Sequence, residues 1–317
     1  MSPSMSPSMS PSMSPSMSPS MSMSQARPRL ALACINIERS KHLFRVAAFL
    51  RGHAPDVTCL QEVVADDVDW LGEQLGYPHR FFIPMCRFPE PSGARPIGIA
   101  ILSRQVFAAS EEIRYAGGGS GRDVLDRSSE EARFRTNRYS VGLVAIASHG
   151  LSFTIATTHF PWSDHARTLD FQRSACDRLL DLLNDRSLVL CGDFNAPRGT
   201  EIFSRLAARW SDHVPPMYTT SLDPILHRAG SLQLLVDGVF STPDYDVSGV
   251  TLHQGVSDHC AITAQIGKGT TGQVPRQRHV SLEVGLPPTC LAWSRPTLRP
   301  LWLSAASATP PWAAPPR

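Results

Sequence analysis

The segment RSLVLCGDFNAP at residues 186–197 constrains the fold more than any other stretch of the chain. The apolar run that ends at Gly192 predicts a buried strand. Asp193 and Asn195 follow two positions apart, and such residues project from the same face of extended backbone. Open α/β sheets place their chemistry at the carboxyl ends of strands, so the segment predicts a carboxylate and an amide side by side in a site. A strand followed by an Asx turn would read the same way, and the segment alone leaves both interpretations open.

Size and charge limit the classes of protein that the chain can belong to. With 317 residues, 42% of them hydrophobic, the chain can form one large domain or two ordinary ones. A net charge of +2 lacks the basic excess of a protein that coats nucleic acid by bulk charge, although a local basic groove stays open. No apolar run reaches the roughly 18–20 residues of a bilayer span, so we expect no membrane span.

Cysteine usage favours a reducing compartment. The seven cysteines are an odd number and contain no CxxC pair. Cys34, Cys59 and Cys191 lie in apolar, strand-like runs, where a free cysteine behaves as a small hydrophobic residue. We therefore expect a reduced, cytoplasmic chain. Separately, we expect a monomer.

The two ends of the chain differ in composition from its centre. Residues 1–25 consist mainly of MSPS repeats, which cannot bury enough surface to order themselves, so we expect a disordered tail. Residues 268–317 are rich in proline and lack any helix or strand period, which predicts a second disordered tail. A single domain over 26–267 is the economical interpretation.

The order of predicted elements within this domain indicates a mixed α+β fold. Strands alternate with helices early and late in the domain, and a hairpin lies between. This order predicts a four-layer α/β-β/α sandwich, in which two packed mixed β-sheets are flanked by helices. One of the helices is expected over 164–185 with Asp164 as its N-cap, and the Gly-rich stretch 114–137 is expected to be a flexible surface loop.

Polar residues recur in or at the ends of the apolar strands. Eight residues show this pattern: Asn36, Glu62, His159, Asp193, Asn195, Asp237, Asp258 and His259. So many buried polar groups would be hard to satisfy separately, whereas at one shared end of the sheets they would satisfy one another. Carboxylates without a basic residue among them select a hard cation such as Mg²⁺ or Mn²⁺. Zinc is less apt, because neither an HExxH motif nor a cysteine pair is present.

Three short motifs carry a resemblance to a known family. LQEV (60–63), GDFN (192–195) and SDH (257–259), in this order, resemble the endonuclease/exonuclease/phosphatase superfamily, the group that includes deoxyribonuclease I. The resemblance covers about residues 29–266 and is more specific than any one of the motifs. It implies a Mg²⁺-dependent hydrolase that cleaves a phosphoester by in-line attack of a water positioned by the metal and an aspartate.

The resemblance also implies which residues hold the metal. Glu62 matches the family's principal metal carboxylate, and Asp258 matches a second carboxylate on the metal side. Asn36 matches the amide that supports the metal and the phosphate. We therefore expect Asn36, Glu62 and Asp258 at a Mg²⁺ or Mn²⁺ site.

Five further residues match the family's catalytic positions. Asp193 resembles the residue that orients or deprotonates the attacking water, and Asn195 resembles the amide that holds a phosphate oxygen. His159 matches a histidine that contacts the phosphate or acts on the acid side. Asp237 matches the carboxylate that pairs with His259, which in turn resembles the histidine that binds phosphate and stabilises the transition state.

Substrate and activity stay open at this point. The substrate could be nucleic acid, a phospholipid head group or a small phosphorylated molecule. Relatives that cut abasic DNA carry Tyr-x-Pro-Asn where this chain has THFPW at 158–162, and the segment 232–238 lacks a basic residue that is common before Asp237 in relatives. A catalytically inactive relative that acts as a binding protein is the alternative. An unrelated α/β protein would instead scatter the eight polar residues over its surface.

Overall fold

The computed structural model describes residues 27–269, so the two predicted tails lie outside the described residues apart from the first two positions of the second tail. This part of the chain folds into twelve strands and five α-helices. The strands are β1 (Arg29–Asn36), β2 (Val57–Val64), β3 (His79–Phe88), β4 (Arg95–Ser103), β5 (Phe107–Ala116), β6 (Tyr139–Ser148), β7 (Leu151–His159), β8 (Val189–Asp193), β9 (Ser211–Asp212), β10 (Asp237–Ser241), β11 (Tyr245–His253) and β12 (Ala261–Lys268). The helices are α1 (Leu43–His53), α2 (Ala65–Leu75), α3 (Glu130–Thr136), α4 (Asp170–Leu182) and α5 (Glu201–Arg209). None of these helices is long and apolar enough to cross a bilayer.

The strands form two six-stranded mixed sheets. Their orders are β11-β12-β1-β2-β4-β3 and β5-β6-β7-β8-β10-β9. Each sheet contains one parallel pair, β1 with β2 and β7 with β8, and the other neighbours run antiparallel. A parallel pair needs a crossover, which α1 supplies in the first sheet and α4 in the second. The predicted mixture of crossovers and hairpins is confirmed.

Side-chain alternation along the strands separates the layers. In β1, Leu32 and Cys34 contribute to the apolar cluster that joins the two sheets, whereas Ala33 and Ile35 contribute to a cluster with α1 and α2. On the second sheet, buried residues of α4 and α5 such as Leu179 pack against the outer face. The four-layer sandwich predicted from the sequence is therefore confirmed.

Besides the two-residue strand β9, two regular elements were not predicted. β5 forms an edge strand of the second sheet, and most of its residues are exposed or half-buried, so its sequence lacks the apolar alternation that marks a strand. α3 lies within the stretch 114–137 that was expected to be a surface loop. Ser129 caps this short helix, because its hydroxyl accepts a hydrogen bond from the backbone N–H of Ala132 at 3.0 Å.

The helix expected from residue 164 begins at Asp170, so Asp164 is not its N-cap. Residues 164–166 form a short 3₁₀ turn in which His165 adopts a left-handed φ of 53°, which interrupts the helix. At the true start of α4, the side chain of Gln172 accepts a hydrogen bond from the backbone N–H of Leu169 at 3.0 Å. The backbone N–H of the N-cap residue Leu169 is thus satisfied by Gln172, and Asp164 takes no part in capping α4.

Gly192 is expected to tolerate no side chain. A Cβ atom at Gly192 would stand 2.0 Å from the carbonyl oxygen of Thr158 on the neighbouring strand β7. Gly192→Ala should therefore lower the free energy of unfolding by about 3 kcal/mol, measured by urea denaturation. Gly52→Ala in α1 is the matched control, because nothing lies within 4 Å of the added atom, and it should be neutral or stabilising by up to about 1 kcal/mol. Equal effects of the two substitutions would contradict the close approach of β7 and β8.

Candidate active site

The carboxylate of Asp193 is the centre of the polar site. Asp193 is 1% exposed at the end of β8, and its Oδ2 accepts a hydrogen bond from Asn36 Nδ2 at 3.0 Å. Its Oδ1 accepts one from the backbone N–H of Asn195 at 2.8 Å. His159 Nε2 and His259 Nε2 lie 3.5 and 3.8 Å from Oδ2. One buried carboxylate therefore joins four other residues of the predicted set.

Strand pairing explains why these groups meet. In the second sheet, His159 pairs with Asp193, and Asp193 pairs in turn with Asp237, so three neighbouring strands carry polar residues at one level. Asn36 lies at the corresponding end of β1 in the first sheet. Both parallel pairs thus point their carboxyl ends to the same side of the sandwich, as expected for a site in an α/β sheet.

His259 and Asp237 form a buried ion pair. His259 Nδ1 donates to Asp237 Oδ2 at 2.8 Å, and the hydroxyl of Ser221 accepts the backbone N–H of Asp237 at 3.0 Å. Burial alone would lower the pKa of His259, but the charges of Asp237 and Asp193 raise it well above its usual value. His259 is therefore held as an imidazolium with Nε2 directed towards Asp193.

An irregularity in β2 directs Glu62 into the site. The register between β2 and β4 shifts between Leu60 and Val63, and Glu62 has a left-handed φ of 52°. Its Oε2 accepts a hydrogen bond from Arg39 Nη1 at 3.0 Å, and its Oε1 lies 3.9 Å from His159 Nε2. Bulges of this kind commonly redirect a side chain beside an active site.

Glu38 belongs to the same site, although the sequence analysis missed it. Three potential metal-ligand atoms lie within 4.8 Å of one another, one each from the side chains of Glu38, His42 and Asp258. Lys41 Nζ and His42 Nε2 contact the Glu38 carboxylate at 2.8 and 3.1 Å. Burial opposes its ionisation, but Lys41 and Arg39 lower the pKa of Glu38 below its usual value. The available signal was its position two residues after Asn36, the same spacing that separates Asp193 from Asn195.

Glu38, Glu62 and Asp258, here called the acidic cluster, bring three carboxylates to one cavity. Arg39 and Lys41 pair with Glu62 and Glu38, so the expectation that no basic residue lies among the carboxylates is wrong. Burial raises the pKa of Asp258 to about 6, His259 opposes this rise, and the charges of Glu38 and Glu62 add to it. A divalent cation would relieve the repulsion, and carboxylate oxygens are the ligands that Mg²⁺ and Mn²⁺ prefer. The residues present therefore fit a hard divalent cation.

A second group of potential ligands fits a cation less well. Ligand atoms of Asp193, Asp237 and His259 also lie within 4.8 Å of one another. His259 Nδ1 already donates to Asp237, and the imidazolium balances charge within this group. A metal would have to displace that proton, so the acidic cluster is the better cation site.

The polar residues open into a cavity of about 340 Å³. Six of the eight predicted residues line it: Glu62, His159, Asp193, Asn195, Asp258 and His259. Asn36 and Asp237 lie behind the lining, where they bond to Asp193 and His259. The cavity also has residues that the sequence analysis did not select: Phe88, Arg127, Arg133, Trp162 and Arg228.

Comparison with known proteins agrees with this architecture. The sequence matches the Endonuclease/Exonuclease/phosphatase family over residues 35–259, and the chain belongs to this family. The resemblance inferred from the three short motifs is thereby confirmed. Members of the family are generally phosphoester hydrolases that depend on divalent metals. No curated protein matches the sequence.

Several solved structures share the fold. An endonuclease/exonuclease/phosphatase from Beutenbergia cavernae is 21% identical, with a TM-score of 0.58 over 77% of this chain and 72% of that one. The human Nocturnin catalytic domain, solved with a bound sulfate anion, is 21% identical, with a TM-score of 0.58 over 76% and 94% of the two chains. A family protein from Bacteroides vulgatus is 17% identical, with a TM-score of 0.56 over 77% and 100%. At these identities the similarity is one of fold.

The acidic cluster is expected to destabilise the metal-free protein at neutral pH. Because the pKa of Asp258 rises from 3.8 to about 6, the folded protein keeps a proton in this interval that the unfolded chain has released. The free energy of unfolding therefore falls as pH rises through the interval. In EDTA, Asp258→Asn should be more stable than the wild type at about pH 7.5, by about 2 kcal/mol, and this gain should vanish near about pH 4.

Urea denaturation at the two pH values measures this effect. Asp181→Asn on the exposed face of α4 is the matched control and should change stability little at either pH. A gain for Asp258→Asn that is equal at both pH values would contradict the raised pKa of Asp258.

Proposed function

We propose that the protein is a Mg²⁺- or Mn²⁺-dependent hydrolase that cleaves a phosphoester by in-line attack of water. The observation that carries this proposal is the buried Asp193 carboxylate, which lies between the imidazoles of His159 and His259. The cavity beside it leads to the acidic cluster. One cavity thus contains a carboxylate that can accept a proton from water, an imidazolium that can donate a hydrogen bond, and carboxylates that can bind a metal. Phosphoester hydrolysis uses groups of these three kinds.

Glu62 and Asp258, with Glu38 beside them and Asn36 in support, would hold the divalent cation. When bound, the cation supplies positive charge that offsets the charge of the phosphate oxygens. Arg39 partly neutralises the charge of Glu62, and Lys41 partly neutralises that of Glu38. Their contacts keep the carboxylates in place before a cation and a substrate arrive.

Asp193 is assigned to the attacking water. Hydrogen bonds from Asn36 and the backbone of Asn195 hold its carboxylate in one orientation. A fixed carboxylate can align the water and accept its proton as the phosphorus–oxygen bond forms. The second N–H of the Asn195 side chain is assigned to a phosphate oxygen, since the first donates to the carbonyl of Phe160 at 2.9 Å.

His259 and His159 are assigned to the phosphate. The His259 imidazolium, oriented by Asp237, can donate from Nε2 to a nonbridging oxygen whose negative charge grows in the transition state. The side chain of His159 is 15% exposed and lines the cavity. Its Nε2 lies between the carboxylates of Glu62 and Asp193. From that position it can contact the phosphate or the leaving oxygen.

We further assign this activity to a domain over 26–267 of a cytoplasmic monomer. The six cysteines among the described residues are all buried and free, in keeping with the expected role of small hydrophobic residues. A catalytically inactive binding protein is a less favoured alternative, because no residue of the predicted set has been replaced.

Glu62→Gln and Asp193→Asn should each lower kcat by about 100-fold or more, because each removes a charge required in the transition state. Activity is measured with p-nitrophenyl phosphate and bis(p-nitrophenyl) phosphate in Mg²⁺ or Mn²⁺, and EDTA should abolish it. Glu73→Gln, an exposed position of α2, is the matched control and should retain wild-type activity. Full activity of Glu62→Gln, or activity that persists in EDTA, would overturn the proposal.

The pH profile tests the pairing of Asp237 with His259. The wild type should keep its imidazolium, and hence its kcat, to a pH well above the usual histidine range. Asp237→Asn removes the charge that raises the pKa of His259, so the alkaline limb of the kcat profile should move down by about one pH unit or more. A lower kcat with an unshifted limb would show that His259 does not act as the cation.

A further inference from the structure

The cavity has a second set of residues whose chemistry is opposite to that of the acidic cluster. Phe88, Arg127, Arg133, Trp162 and Arg228 line it, and this set is called the basic–aromatic wall. The proposed hydrolysis of one phosphoester uses none of these residues. Three arginines beside a single-phosphate site exceed what one phosphate group needs, since that group already has a metal site, His159 and His259.

Two of these arginines lie over aromatic rings. The guanidinium carbon of Arg133 stands 4.6 Å from the ring centre of Trp162, and that of Arg127 stands 5.5 Å from the ring centre of Phe88. A cation–π contact of this kind uses no hydrogen-bond donor of the guanidinium, so its N–H groups stay available for an anion. Trp162 and Phe88 also offer ring surface beside the two cations.

The three arginines lack a salt-bridge partner among the described residues. None of them forms a salt bridge with a residue in 27–269, whereas Arg39 in the same cavity pairs with Glu62. Burial lowers the pKa of Arg133, and the positive charges of Arg127 and Arg228 lower it further, although Tyr139 and the Glu62 carboxylate oppose this shift. The guanidinium groups therefore lie within electrostatic range of one another. Repulsion of this kind is relieved when an anion binds among the cations.

The wall is part of the folded structure. Arg133 lies on α3, and Glu130 in the first turn of the same helix accepts a hydrogen bond from Arg167 at 3.1 Å. Glu130 also accepts the backbone N–H of Asp164, so α3 is joined to the segment that follows Trp162. The helix that carries Arg133 is therefore tied to the segment that carries Trp162.

We propose that the basic–aromatic wall binds a second phosphate group of the substrate, so that the protein acts on small molecules that carry two phosphates. This inference rests on the proposed function and specifies its substrate class. A cavity of about 340 Å³ is at the lower end of the roughly 300–1,000 Å³ typical of small-molecule sites. A net charge of +2 gives the protein no large excess of positive charge with which to bind a long polyanion. The charge therefore favours a small substrate.

Matched substrate pairs that differ by one phosphate test the proposal. For monoesters the pair is adenosine 3′,5′-bisphosphate and adenosine 5′-monophosphate. For diesters it is the p-nitrophenyl ester of thymidine 5′-phosphate with and without a 3′-phosphate. In at least one pair, the wild type should prefer the member with two phosphates by about tenfold or more in kcat/KM, because charge-assisted hydrogen bonds to the second phosphate are gained.

Arg133→Gln and Arg127→Gln should each reduce this preference ratio towards one. Arg178→Gln on the exposed face of α4 is the matched control and should keep the wild-type ratio. Circular dichroism and urea denaturation verify folding, and Arg133→Lys, which keeps the charge, should restore part of the ratio. A ratio near one in the wild type, or an unchanged ratio in both glutamine variants, would overturn the second-phosphate site and leave the proposed hydrolysis standing.

Two other outcomes separate the proposals. A higher kcat/KM for a single-stranded 20-nucleotide DNA than for either two-phosphate substrate would overturn the assignment to small molecules. If no substrate is hydrolysed, the proposed function fails. The second-phosphate site is then tested by binding, with calorimetry of adenosine 3′,5′-bisphosphate and adenosine 5′-monophosphate. Tighter binding of the bisphosphate that is lost in Arg133→Gln would support the site, and equal binding of the two nucleotides would overturn it.

Discussion

The burial of the Asp193 carboxylate is the constraint on which the rest of the site depends. A carboxylate that is 1% exposed is costly to ionise unless hydrogen bonds replace its lost water. Asn36 comes from the first sheet and the backbone of Asn195 from the loop after β8, so the two sheets must pack with both parallel pairs in register. The glycine before Asp193 permits this, because the backbone of β7 passes where a side chain would stand.

The acidic cluster adds a second constraint of opposite effect. Asp193 is satisfied by donors, whereas burial raises the pKa of Asp258 to about 6, and the charges of Glu38 and Glu62 add to this rise. A fold selected only for stability would replace one of these carboxylates with a neutral side chain. The repulsion is retained in a cavity that also holds the His259 imidazolium, which is the arrangement expected where charge serves binding or catalysis.

Sequence reasoning identified the residues that follow strongly apolar strands. Asp193 and His159 could be selected because a polar group after a buried run needs a partner, and the mixed sheets followed from the order of strands and helices. Glu38 was missed because it lies beyond the end of β1 in a left-handed conformation, where no periodicity points to it. Arg133 was missed for a related reason, since α3 is short and has only one buried residue, Ala132. Which side chains face a shared cavity depends on long-range packing that local patterns do not encode.

The acidic cluster and the basic–aromatic wall have opposite charges, yet they do not neutralise each other. Arg39 reaches Glu62 and also lies over the Phe88 ring, with its guanidinium carbon 4.3 Å from the ring centre. Arg127 and Arg133 lie over Phe88 and Trp162 and form no salt bridge within residues 27–269. A ring face attracts a cation without supplying a negative charge, so Arg127 and Arg133 keep their charge available to an anion. In the proposed mechanism the acidic cluster would hold the metal, while these arginines would contact the second phosphate of the substrate.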